Sequence, residues 1–145
     1  MRAKTSKWYE CKASYDRVAD DGKIVRVTDS IVVEAGSFSE AEGIVMENMD
    51  AYAENLEVVA MKICKFKTVC INDCPEGDRR FFSVKVEFIT LDEKTGKERR
   101  TAETLLIESE DLDDAVDRVK EAIGTMADYK KAQVTETRIS EIIEK

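Results

Sequence analysis

Histidine is absent from all 145 residues. Its absence removes the commonest general base near neutral pH and the commonest zinc ligand, so Ser-His-Asp and Cys-His chemistry is impossible within one chain. GxGxxG, Walker-loop and GxSxG elements are also missing. The pairs Gly22-Lys23 and Gly96-Lys97 fall in expected hairpin turns rather than at helix starts, which leaves phosphate cradling unsupported. No apolar run approaches the ~20 residues of a membrane-spanning helix. No apolar signal core follows the basic stretch Met1–Lys7, so a cytoplasmic protein is expected. Positive charge is in short supply: 23 Lys and Arg against 31 Asp and Glu give a net charge of −8. That argues against tight, sequence-independent binding to duplex DNA but permits a local basic face.

Cysteine is present, without metal-site spacing. Cys64, Cys70 and Cys74 cluster, and Cys11 could approach them through a sheet, but no CxxC knuckle occurs. A four-thiolate zinc site is therefore the weaker reading. The favoured one makes Cys11 and Cys64 small apolar strand residues and Cys70 and Cys74 reduced connector thiols, with no metal or cofactor. Carboxylates are abundant, yet Asp20-Asp21, Glu108–Asp111 and Asp113-Asp114 sit where turns and helix starts use them. No enzyme is indicated.

What the chain has is a pattern that recurs. Tyr9, Cys11, Ala13 and Tyr15 alternate with polar residues, and Phe82, Val84, Val86 and Phe88 do the same, the mark of strands covered on one face. Turns containing Gly22 and Gly96 lead to return strands near Ile24–Glu34 and Arg99–Glu108. Helices follow. Ser37-Phe38-Ser39-Glu40 is a capping box, and Asp111 is an N-cap with acids in the next turn. One helix stripe is Phe38, Ala41, Val45, Met49 and Tyr52; the other is Leu112, Ala115, Val119, Ala122, Ile123 and Met126, weakened near its end by Gly124. Closing strands are expected near Glu57–Lys67 and Gln133–Ile139.

This order predicts an α+β fold: a tandem duplication of a strand-strand-helix-strand unit, mostly antiparallel, with one long helix per repeat and an approximate two-fold. The repeats would span residues 1–67 and 81–145. Residues 68–80 would form a connector carrying the single proline, Pro75. Exposed sheet edges in such a unit make homo-oligomers an expected partner arrangement.

The candidate binding residues are Trp8, Lys12, Lys62, Lys65, Arg79, Arg80, Lys85, Lys97, Arg99 and Arg100, with Lys67 beside them. On one exposed sheet face, Trp8 or Phe81 would stack on bases while the cations hold phosphates, giving single-strand nucleic-acid binding. The plainer reading pairs these cations with Glu10, Glu87 and Glu103 across strands.

The phrases Trp8–Lys12, Phe88–Lys97 and Gly124–Tyr129 resemble a small domain-of-unknown-function family (number 4494) from gut anaerobic bacteria and their phages. The likeness covers roughly Trp8 to Ile143. It implies no activity and no catalytic residue, and the family pattern lacks cysteines at Cys70 and Cys74. The expectation is a non-enzymatic binding module of bacterial or phage origin, whose partner is protein or nucleic acid and not membrane, possessing a basic strand face. The alternative is a small-ligand sensor with a pocket between the repeats, lined by Trp8, Tyr52 and Tyr129.

Overall fold

Tyr9, Cys11, Ala13 and Tyr15 do point to one side of a strand, β2 (Trp8–Val18), and β3 (Ile24–Glu34) returns beside it. The computed structural model describes residues 2–123 and 129–145. The other strands and α-helices are β1 (Arg2–Thr5), α1 (Phe38–Met49), β4 (Glu54–Ile63), β5 (Thr68–Ile71), β6 (Arg80–Leu91), β7 (Glu98–Ser109), α2 (Leu112–Ile123), β8 (Tyr129–Glu136) and β9 (Ile139–Ile143), with one 3-10 turn at Glu76–Asp78. Both long hairpins turn through a glycine in the left-handed region, Gly22 at φ 84° and Gly96 at φ 68°, as their turns require.

The chain forms two compact units. One comprises Ser6–Cys64 with Arg138–Lys145 and carries a four-stranded sheet in the order β4-β2-β3-β9. Its α1-covered face buries Tyr9, Cys11, Ala13, Ile31 and Val33 against Ala41, Val45 and Met49. The other comprises Met1–Thr5 with Lys65–Thr137 and carries a five-stranded sheet in the order β1-β5-β7-β6-β8. Here Val84, Val86, Leu105 and Ile107 pack with Cys70 and Val119. Alternation explains both clusters, since residues two apart on a strand share a face.

The predicted fold class needs correction. Strands dominate the chain, and each helix has only 12 residues, about 18 Å at 1.5 Å per residue. Both sheets are mixed, because β5 runs parallel to β7 and β9 parallel to β3. These are not repeats of a strand-strand-helix-strand plan with one long helix each. The physical reason lies in short segments. Val69-Cys70-Ile71 and Ile142-Ile143 are too brief to show a period, yet they are apolar enough to enter a sheet. Thr68–Ile71, expected within the connector, is strand β5, and Arg2–Thr5 pairs with it as β1.

The helix starts follow the expected chemistry. Glu40 N donates to Ser37 Oγ at 3.1 Å, while Gly36 N donates to Glu40 Oε2 at 3.0 Å. At α2, Asp114 N donates to Asp111 Oδ1 at 2.8 Å and Glu110 N to Asp114 Oδ2 at 3.1 Å. Asp111→Ala should therefore lower stability by about 1 kcal/mol in urea unfolding, whereas Asp111→Asn should cost little. Of the α1 stripe, Phe38 is half exposed with its ring edge-on to Tyr9, and Tyr52 lies beyond the helix. Gly124 and Met126 lie outside the described residues.

Candidate functional site

β5 is much shorter than β7, and that mismatch creates an opening. Thr68, Val69 and Cys70 pair with Leu105, Leu106 and Ile107 of β7. The preceding part of β7, residues 98–104, pairs with β6 on one side and with no strand on the other among the described residues. Its main-chain edge groups are therefore available to a ligand. Beside this edge lies a cleft of about 490 Å³, bordered by Lys65 and Lys67. Thr5, Thr68, Thr101 and Thr104 also line it, with Glu103 as the one carboxylate.

Each wall has a local cause. Thr5 and Thr68 face each other in the β1–β5 register, their hydroxyl oxygens 3.1 Å apart. Lys65 lies between the end of β4 and the start of β5, exposed, with no ion pair among the described residues. Lys85 stands directly across from Thr104 in the β6–β7 register and is also exposed, but it lies outside the cleft lining. Ammonium groups, hydroxyls and open backbone edges suit an extended anion held by charge and hydrogen bonds.

Other predicted cations are dispersed or already paired. Lys62 meets Glu10 at 3.4 Å, Arg80 meets Glu136 at 3.7 Å, and Arg100 meets Glu87 at 3.0 Å. Arg99 reaches Asp92 at 4.0 Å, and the Arg79 guanidinium lies 5.8 Å from the Phe81 ring centre. Lys97 is exposed in the β6–β7 turn, and Lys12 is exposed on β2 opposite Ala60 and Ser30. Trp8 and Phe81 are only 1% exposed, so the stacking platform expected of them is corrected: neither ring is open to a base. Tyr52 is exposed with its ring edge-on to Tyr15, and Tyr129 packs partly buried against the α2-side core.

Two buried carboxylates escaped the sequence reading. Glu34 accepts from Ser6 Oγ and, at 2.9 Å, from the backbone N–H of Lys145. The Glu108 carboxylate accepts from Cys74 N at 2.7 Å, while its carbonyl accepts from Asn72 Nδ2 at 2.7 Å. Both accept from donors outside the strands, at Ser6, Cys74 and Lys145, and so tie those segments to the sheets. Only the sheet pairings expose this; in the sequence both glutamates look like surface acids at strand ends.

The cysteines divide two to each unit. Among the described residues, no three His, Cys, Asp or Glu side chains are grouped so as to hold a metal ion. The zinc reading therefore lacks its ligand set. Burial raises the Cys11 thiol to about 11 and the Cys64 thiol to about 12, and neighbouring Glu10 pushes both the same way. Cys70 and Cys74 are raised too, first by burial. Folded-state values above a cysteine's ordinary 9.0 favour the neutral thiol, so this contribution to stability is complete below pH 9 and is lost as pH rises toward 11–12. Urea midpoints should hold to about pH 9 and fall beyond it, and a Cys11→Ser, Cys64→Ser variant should show a shallower alkaline decline.

A family model described as Domain of unknown function (DUF4494) matches residues 7–145. Neither the curated proteins nor the solved structures contain a match to the chain. No described helix is long and apolar enough to cross a membrane.

Proposed function

We propose, for a chain that belongs to the DUF4494 family, a non-catalytic, cytoplasmic binding module whose cleft beside β7 takes the sugar-phosphate backbone of single-stranded nucleic acid. One observation carries this reading: Lys65, Lys67 and four threonines converge on a strand edge whose main-chain groups are open. Phosphates would sit against the ammoniums, and threonine hydroxyls and edge N–H groups would fix the strand's path. With both Trp8 and Phe81 buried, aromatic stacking would add little, so affinity would be mainly electrostatic.

The overall charge of −8 works against any polyanion. Binding should therefore be modest and strongly salt-dependent. Fluorescence anisotropy with a labelled homopyrimidine strand should show saturable binding at low salt that weakens steeply as salt rises. Absence of binding at low salt would overturn the reading.

A further inference from the structure

β4 forms an outer edge of the four-stranded sheet, and it is poorly guarded against a neighbour. It runs ten residues, Glu54-Asn55-Leu56-Glu57-Val58-Val59-Ala60-Met61-Lys62-Ile63, with no proline. By contrast β1, an edge of the other sheet, has only four residues. Short length is one way in which natural edges avoid pairing. The β4 edge also carries exposed apolar surface: Val59 is 54% and Ile63 49% exposed, and nearby Met46 of α1 is 37% exposed. Met46, Leu56, Val58 and Val59 border a shallow groove of about 460 Å³.

The strand reads alike in both directions. Val58 opposes Ala13 and Ala60 opposes Lys12, so Val59 is the extra residue of a bulge. This bulge shifts the alternation. Leu56 and Val58 before it and Met61 after it pack on the α1-covered core, and Ile63 shares that face by register with Tyr9. Glu57 and Lys62 lie on the opposite face, beside Ser14 and Glu10.

We propose that β4 joins two copies of this chain, antiparallel and edge to edge, with Glu57 of each copy facing Lys62 of the other. The two-fold axis passes beside Val59 and Ala60. Leu56 then meets Ile63 and Val58 meets Met61 on the covered face, while Glu57 meets Lys62 on the other, so each of these opposed pairs shares a face, as antiparallel strands require. A bulge normally turns an edge away from neighbours. Here the Val59 bulge lies at the axis and meets its own symmetry mate, and the second irregularity of β4, at Asn55-Leu56, falls at the end of the paired stretch.

Charge identifies the occupant as a second copy. Glu57 already contacts Arg26 at 3.4 Å and Lys62 contacts Glu10 at 3.4 Å. Their side chains nonetheless remain 72% and 70% exposed, with room for another partner. Joining the edges extends each pair into a row of alternating sign: Arg26 and Glu57 of one copy, then Lys62 and Glu10 of the other. A partner with uniform charge along its edge could not satisfy both ends. This interface does not depend on the nucleic-acid reading.

Sedimentation across a concentration series tests it. Wild type should dimerise reversibly. Glu57→Lys and Lys62→Glu should each weaken the dimer by about tenfold or more, because like charges then face each other across the axis. The double variant, E57K with K62E, restores opposite charges between copies and should recover most of the affinity. Val59→Asp should leave a monomer with unchanged circular dichroism, its side chain being exposed. A wild type monomeric at every concentration, singles that dimerise normally, or a double that fails to recover would each overturn the proposal.

Discussion

Reversing both charges with Lys65→Glu and Lys67→Glu should abolish single-strand binding at low salt without lowering the thermal midpoint appreciably. Both lysines are exposed at the cleft, so neither reversal disturbs a buried cluster. The milder double variant, Lys65→Ala with Lys67→Ala, gives a quantitative check. Each phosphate contact to a single strand contributes about 0.7 to the slope of log K against log salt, so removing two should reduce that slope by roughly 1.4. Arg80→Ala should leave binding nearly unchanged, because its guanidinium faces Glu136 at 3.7 Å and it lies outside the cleft lining. Equal losses for Arg80→Ala and Lys65→Ala would mean diffuse attraction rather than a site. Thr101→Val and Thr104→Val separate the two contributions further: they should weaken binding while leaving the salt slope intact, since a hydroxyl neutralises no phosphate.

The hairpins and helices were readable because their signals are local. Ser37 and Glu40 lie within one turn of each other, and Gly22 and Gly96 each serve a turn a few residues long. Pairings between distant segments were not readable. β5 and β9 are short apolar runs, and nothing in Thr68–Ile71 or Ile139–Ile143 names β7 or β3 as the strand alongside. Most pairings are antiparallel, as the hairpin signals suggest, but those two parallel pairings make both sheets mixed. The same gap hid most of the cleft. Lys65 stood out as a cation, but the threonines around it come from β1, β5 and β7, and only the β1–β5 register sets Thr5 against Thr68. Trp8 misled for a related reason. It alternates out of phase with Tyr9, so one-sided burial predicts an exposed ring, whereas at this end of the sheet Trp8 and Val32 are buried on the face opposite α1. Burial on both faces leaves no period to read.

Trp8→Ala should be the most destabilising single change considered, and it separates a structural tryptophan from a ligand platform. At 1% exposure the indole is fully desolvated. Truncating such a ring typically costs 3–5 kcal/mol. A domain's whole stability is about 5–15 kcal/mol, so the variant should be largely unfolded or should melt far below wild type. Trp8→Phe keeps a ring in the site and should lose much less. Far-UV circular dichroism must read the alanine variant, because Trp8 is the only tryptophan and its fluorescence disappears with it. In wild type that fluorescence should be blue-shifted, resistant to quenching by iodide, and little changed by an oligonucleotide bound at Lys65 and Lys67. A ligand platform would behave in the opposite way: Trp8→Ala would keep its unfolding midpoint while losing affinity, and the bound strand would quench the emission. Because burial and stacking make opposite demands on the same ring, the two variants and one quenching titration assign Trp8 to the core or to the ligand.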